Sequence, residues 1–284
     1  MTRKGLRYKH SARVELARPD AVRSPFVGSV RSSHPRRDTP AGQRLLQRPG
    51  MTDKAEKQAV LIFDGVSLEP SAPARGGAHN ITFRLDRGRI LVLQIPEDHL
   101  GPPIADAATG LLKPSAGRVL FLGNDWSSVH PHHAASLRGQ VGRVFQGCNW
   151  VRNLSIGENT CLRALHHTNR RTVDILDEAK ELMKAFGVSS EGHADEVLSM
   201  RPAEVAPEDL QRAAWARALV GGPALLVLEQ PREHTMPLNA DVLISSVVRV
   251  SQRGTAVIWI ASSEDVWRHD DMKSIEHDHF EVGR

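Results

Sequence analysis

Cysteine is nearly missing from the chain: Cys148 and Cys161 are the only two, which excludes a disulfide-stapled scaffold and leaves an apolar core to hold the fold. Also lacking is any run of about 20 apolar residues, the length that a membrane-spanning helix needs. The best stretch, residues 218–228, is short and is broken by Gly221, Gly222 and Pro223. Direct membrane insertion is therefore not expected, and a membrane role would run through a partner. No secretory signal with an apolar central segment opens the chain, so a cytosolic compartment is the expectation. Histidines cluster at His130, His132 and His133, at His166 and His167, and at His277 and His279, but no Cys/His set with zinc-site spacing accompanies them. They read as solvated loops. Nothing in the sequence places a base beside Cys148, so it reads as an inert thiol.

Acidic charge is scarce only at one end. Residues 1–50 hold 12 Lys and Arg against 3 Asp and Glu, which leaves 25 basic and 30 acidic residues in 51–284, a net charge of −5. The basic pI of about 9.3 therefore belongs to the first fifty residues, and nucleic-acid binding is not expected of the rest. That opening stretch is rich in Arg, Pro and Ser and lacks a sustained period, so it reads as disordered. The composition changes abruptly at Met51, which suggests that residue as the natural start; an Arg-rich transit peptide is the alternative.

With 284 residues, 40% of them hydrophobic, the chain has room for one α/β domain and a smaller subdomain. Short apolar runs at 60–63, 81–85, 90–95, 119–122, 141–145, 224–228 and 255–261 predict strands. Helical spacing predicts helices at about 102–112, through much of 154–200 (including 173–186), at 208–220 and at 239–252. Strands that alternate with helices imply a mainly parallel sheet covered on both faces.

Five segments carry a more specific signal: GLLKPSAG at 110–117, VFQ at 144–146, EN at 158–159, ARAL at 216–219 and LLVLEQP at 225–231. In this order and spacing they resemble the ATP-binding domain of ABC transporters, across nearly all of 60–270. The resemblance implies a P-loop NTPase-like ABC ATPase fold: a mainly parallel sheet core, an antiparallel β region and a helical subdomain at about 150–205, within a domain spanning 51–284. Within that family the segment at 144–159, with 165–169, is similar to the ATPase of MCE-type phospholipid transporters, which implies lipid transport.

Counting forward from Gly88 and backward from Gly110 gives one gap-free register for the family's phosphate-binding loop, which falls on residues 95–103. A working loop needs glycines whose N–H groups wrap the phosphates, a lysine for the β and γ charges, and a hydroxyl for Mg²⁺. Here the glycine positions are Ile95, Asp98 and Leu100, and the lysine position is Gly101. Pro102 and Pro103 replace the hydroxyl residues and remove two N–H donors, while Glu97 and Asp98 add negative charge beside a triphosphate.

The other family motifs are altered as well. The signature Leu-Ser-Gly-Gly-Gln, which caps the γ-phosphate held by the other subunit of a dimer, has its serine and glycines replaced by Ala206, Pro207 and Glu208. On residue chemistry alone this is the N-terminus of a plain helix. The Mg²⁺-linked aspartate position is Glu229 and the water-activating glutamate position is Gln230, an amide that cannot take a proton at neutral pH. The γ-phosphate-sensing histidine position is Ser262, and the adenine-stacking region reads Glu69, Pro70, Ser71. Gln146 is retained.

After it come Asn149, Trp150, Val151, Asn153 and Leu154, where the family meets its membrane subunit. An exposed Trp150 would suit docking; a tryptophan tucked into the helical subdomain is the equal alternative. The family uses ATP and Mg²⁺. For this chain no cofactor is expected, and the reading is a non-hydrolysing subunit. Its expected partners are a second such domain and a membrane permease at the cytoplasmic face. An ATPase with Glu229 as its acid anchor and a soluble scaffold of the same fold are the rivals.

If Met51 is the start, intact-mass measurement of the protein from its native host finds a chain beginning at Met51 or Thr52, whereas a terminus at Met1 or Thr2 overturns that assignment.

Overall fold

The structure, a computed structural model, describes residues 14–15, 59–70, 76–95, 103–147, 149–188, 190–231, 237–261 and 277–283. In chain order the strands are β1 (Val14–Glu15), β2 (Ala59–Leu68), β3 (Ala78–Asp86), β4 (Ile90–Gln94), β5 (Ala116–Phe121), β6 (Asn124–Asp125), β7 (Val141–Val144), β8 (Leu225–Glu229), β9 (Ala256–Ala261) and β10 (His277–Gly283). The helices are α1 (Ile104–Ala108), α2 (Pro131–Arg138), α3 (Ile156–His167), α4 (Thr172–Ala185), α5 (His193–Ser199), α6 (Pro207–Leu219) and α7 (Pro237–Gln252), with a 3₁₀ turn at Pro202–Glu204. Apart from β1, the expectation of disorder in the first fifty residues lies outside the described residues.

The strands join in the order β6-β5-β2-β3-β1-β10-β4-β9-β8-β7. The half β10-β4-β9-β8-β7 is parallel, and β2, β3, β5 and β6 pair antiparallel. Val227 lies opposite Arg143 on β7 and Ile258 on β9, so these alternate positions share one face of the sheet. That face, with Leu91, Leu93, Val141, Leu225 and Ile260, packs under α1 and against the antiparallel strands. The other face, with Val92, Val144, Leu226, Leu228, Val257 and Trp259, packs on α6 and α7 through Trp215, Leu243, Ile244 and Val247. Burial on both faces is why these strands read as unbroken apolar runs. Gly142 marks the tightest approach, since a Cβ there would run into the carbonyl of Ala218 at the end of α6.

Two predicted boundaries are corrected. The helix expected to reach 112 stops at Ala108. Thr109 Oγ1 bonds back to the Ala105 carbonyl at 2.9 Å, and Gly110 takes a left-handed conformation (φ +66°) that ends the helix. The segment around His130–His133, read as loop, instead starts α2. His130 caps it, Pro131 fills its first turn, and the histidines stay exposed there.

Helices α3, α4 and α5 form a layer tied to the ends of α2 and α6 by half-buried charged groups. From α3, Arg163 donates to the carbonyls of Gly139 at 2.7 Å, Ala218 at 3.3 Å and Val220, thereby satisfying groups at the ends of α2 and α6. Burial pulls its pKa down from the ordinary arginine value, against the opposing charge of Glu178. At the other end of the layer, His193 donates to Asp209 of α6 at 3.0 Å. That hydrogen bond, with the one to Glu196, raises the pKa of His193 above its usual value.

A histidine raised on folding stabilises fully below its unfolded pKa of about 6.5, and the effect fades as pH rises through the folded value. His193→Gln should therefore lower the urea midpoint at about pH 6 and approach wild-type behaviour by about pH 9. Equal losses at both pH values would remove the ion pair from the account.

Candidate functional site

Of the residues that the sequence singled out, Gln146, Glu229 and Gln230 lie at the carboxyl ends of parallel strands. Asp98, Leu100, Gly101 and Pro102 lie outside the described residues, as does Ser262 beyond β9. Pro103 is buried, and its carbonyl accepts from Ala107 N–H at 3.1 Å in the first turn of α1. Glu229 is the last residue of β8, on the sheet face beneath α1. Next to it Gln230 is held at φ +45° while its N–H donates to the Ile260 carbonyl at 2.9 Å. A non-glycine residue in that conformation is strained and persists because its surroundings impose it.

Glu229 does not stand alone. Arg143, two residues before the end of β7's apolar run into Phe145, points to the same face. Its Nε donates to Glu229 Oε1 at 2.6 Å and its Nη2 lies 2.7 Å from Asp106 Oδ1 on α1. Nη1 reaches Thr109 Oγ1 at 3.5 Å, and the guanidinium carbon sits 4.4 Å from the centre of the Phe145 ring. The Arg143 side chain is 7% exposed and Glu229 12%, against 31% for Asp106. Burial works against the charged guanidinium, but the hydrogen bonds and charges of Glu229 and Asp106 outweigh it and raise the pKa.

Neither Arg143 nor Asp106 was singled out from sequence. One signal was available: an arginine between Val141 and Val144 in an otherwise apolar strand has to find a carboxylate or pay the desolvation of a bare charge. What the sequence could not supply was which carboxylates.

Gln146 is exposed just past β7, and the segment after it folds against α3. Asn159 organises that segment. Its Oδ1 accepts from Val151 N–H at 2.9 Å, and its Nδ2 donates to the carbonyls of Val151, Leu154 and Ser155 at 3.1, 3.3 and 2.9 Å. Ser155 and Glu158 form a reciprocal capping box that starts α3. Trp150 is not exposed as the docking reading required. It is half-buried against the apolar residues of both α6 and the helical layer, with the Arg217 guanidinium 4.2 Å from its ring centre. The apolar side chain exposed in this segment is Val151, at 44%, beside the exposed Asn149, Arg152 and Asn153 and the half-buried Leu154. Cys148 lies outside the described residues.

At the start of α6, Ala206 is the N-cap without a side-chain bond, Pro207 opens the first turn and Glu208 is half-buried. Asp209 is buried, and it is engaged by both His193 and Arg212, the latter at 2.7 Å. The positive end of the helix is thus met by carboxylates of the helix itself. Gln211 donates to the Pro231 carbonyl at 2.8 Å, tying α6 to the residues that follow Gln230.

Other features stand apart from this end. Burial raises the pKa of the Cys161 thiol, as expected for an inert cysteine. His167, at the end of α3, has its pKa lowered by burial first and then by His166 and Arg163. It lines a cavity of about 400 Å³ with Arg87, Gln140 and Arg253 at the amino ends of the parallel strands, remote from Glu229. Among the described residues no helix is long and apolar enough to cross a membrane.

Against known proteins, residues 104–233 match the family model described as ABC transporter. The lipoprotein-releasing system ATP-binding protein LolD of Buchnera aphidicola is 26% identical over 156 residues, 55% of this chain and 65% of that protein, so the match spans just under two thirds of LolD. The cell division ATP-binding protein FtsE of Mycobacterium tuberculosis is 24% identical over 199 residues, 70% of this chain and 84% of that protein. Among solved structures, the dimeric ABC transporter cassette MJ0796 aligns with a TM-score of 0.64 at 17% identity, covering 79% of this chain and 97% of that one. Motif order, sheet topology and these similarities agree: the chain has the fold of ABC transporter ATP-binding cassettes, and its residues 104–233 are similar to that family.

Proposed function

We propose that this protein is a non-hydrolysing ABC-type subunit that pairs with a second ATP-binding domain and docks on a membrane permease at the cytoplasmic face. One observation carries the reading: the carboxylate at the family's Mg²⁺-linked position, Glu229, is already hydrogen-bonded by a buried guanidinium. A metal ion there would compete with a fixed positive charge for the same oxygens. The described donor set does not fit a magnesium nucleotide. Besides Arg143 at Glu229, it offers an amide at Gln230 in place of a general base and an acidic first turn on α6 where a phosphate would need bare N–H groups.

Pairing is supported by the fold shared with a cassette solved as a dimer, and a membrane partner by relatives named as ATP-binding proteins of a lipoprotein-releasing system and of phosphonate import. Docking is assigned to the surface formed by Gln146, Asn149, Val151, Asn153 and Leu154, whose shape Asn159 holds. The segments at 144–159 and 165–169 support lipid transport as the system served.

Phosphate release by the purified full chain in Mg-ATP should stay at background, and Gln230→Glu alone should not restore it, because Arg143 remains on Glu229. Micromolar Mg-ATP affinity by calorimetry, together with turnover abolished by Glu229→Ala, would overturn the reading. For docking, Val151→Asp should weaken co-purification with the permease about tenfold without lowering thermal stability, the loss of one apolar contact at a desolvated interface. Unchanged recovery of the permease would move the docking surface elsewhere.

A further inference from the structure

We propose that Arg143 is a fixed internal counter-ion that clamps α1 to the end of β8, so that this end of the sheet is ordered with no metal or nucleotide bound. The inference rests on the non-hydrolysing reading of the same site and deepens it: the site is not merely without its chemistry but closed by the protein's own charge.

Three elements meet in one guanidinium. Arg143 belongs to β7, Glu229 to the neighbouring β8, and Asp106 to α1, which lies across the face that both strands present. The fork of Nε and Nη2 serves one carboxylate each at 2.6 and 2.7 Å, a geometry that a planar guanidinium holds and an ammonium does not. Nη1 faces Thr109, whose own hydroxyl is turned into α1, and the flat of the group rests on Phe145. From the adjoining α2, Arg138 donates to the carbonyls of Thr109 and Gly110 at 3.2 and 2.7 Å, and so fixes the far end of the same short helix.

Helix α1 has only five residues, too few to hold itself by propensity. Its position depends on what grips it: Ile104, Ala105, Ala107 and Ala108 pack into the core, and Arg143 adds the charged grip through Asp106. Charge explains the exclusivity. Two carboxylates that converge on one buried cation are the groups a divalent ion would seek, and the guanidinium both occupies them and repels a second cation.

The test is thermal unfolding of the full chain with Arg143→Met, Arg143→Lys and the triple variant Arg143→Met, Asp106→Asn, Glu229→Gln. The clamp predicts a midpoint for the wild type that does not move with millimolar Mg²⁺ or with EDTA. Arg143→Met removes the cation between Glu229 and Asp106 and should lower the midpoint by about 10 °C, and millimolar Mg²⁺ should recover part of that loss. Arg143→Lys recovers less than half, for want of the fork. The triple variant, with both carboxylates neutralised, recovers most of it and remains folded even if Arg143→Met does not.

In hydrogen exchange, α1 and the end of β8 should be protected in the ligand-free wild type, and Arg143→Lys should lose that protection before the rest of the sheet. An Arg143→Met variant as stable as wild type, a triple variant no better than Arg143→Met, or a wild-type midpoint that rises with Mg²⁺ alone overturns the clamp. Those outcomes with no ATP turnover in any variant leave the non-hydrolysing reading standing; turnover in the wild type with the stability pattern intact does the reverse.

Discussion

Everything at this site follows from burying both faces of β4, β9, β8 and β7. A sheet covered on one side by α1 and the antiparallel strands, and on the other by α6 and α7, has no room for polar side chains along its length. Polar chemistry is therefore driven to the strand ends, and a charge placed even two residues inside an end must be answered within the protein. Arg143 is such a charge. Its desolvation is tolerable only because Glu229 comes from the next strand and Asp106 from the helix above.

Electrostatics divides the two ends of the sheet. At the amino ends of the strands, helix C-termini bring carbonyl groups together, and arginine answers them: Arg163 reaches across from α3 to the ends of α2 and α6. At the carboxyl ends, carboxylates sit instead at a helix N-terminus. Glu208 and Asp209 occupy the first turn of α6, and Asp209 is satisfied by His193 and Arg212.

Much of this architecture was legible in the sequence because periodicity and apolar runs are local properties. The strands at 90–94, 141–144, 225–229 and 256–261 and the helix at 207–219 lie where apolar spacing put them. Gly88 and Gly110, the two anchors from which the loop was counted, are both left-handed, a conformation that few other residues suit. What escaped was tertiary. The early end of α1 depends on Gly110 lying against Trp126, eighteen residues on from Ala108, whose carbonyl that indole reaches. Trp150 could equally have been surface or core, and the choice depends on Arg217 and on clusters from two separate helices. The partners of Arg143 come from 37 residues before it and 86 after, a pairing that no window along the chain reveals.

The four hydrogen bonds from Asn159 make the loop at 151–155 and the first turn of α3 a single mechanical piece. Arg163, one turn further along the same helix, grips carbonyls at the opposite end of the sheet. Helix α3 is therefore a strut with a handle at one end and a foot at the other. Through that one helix the exposed Val151 is tied, by hydrogen bonds alone, to the ends of α2 and α6 across the full height of the sheet.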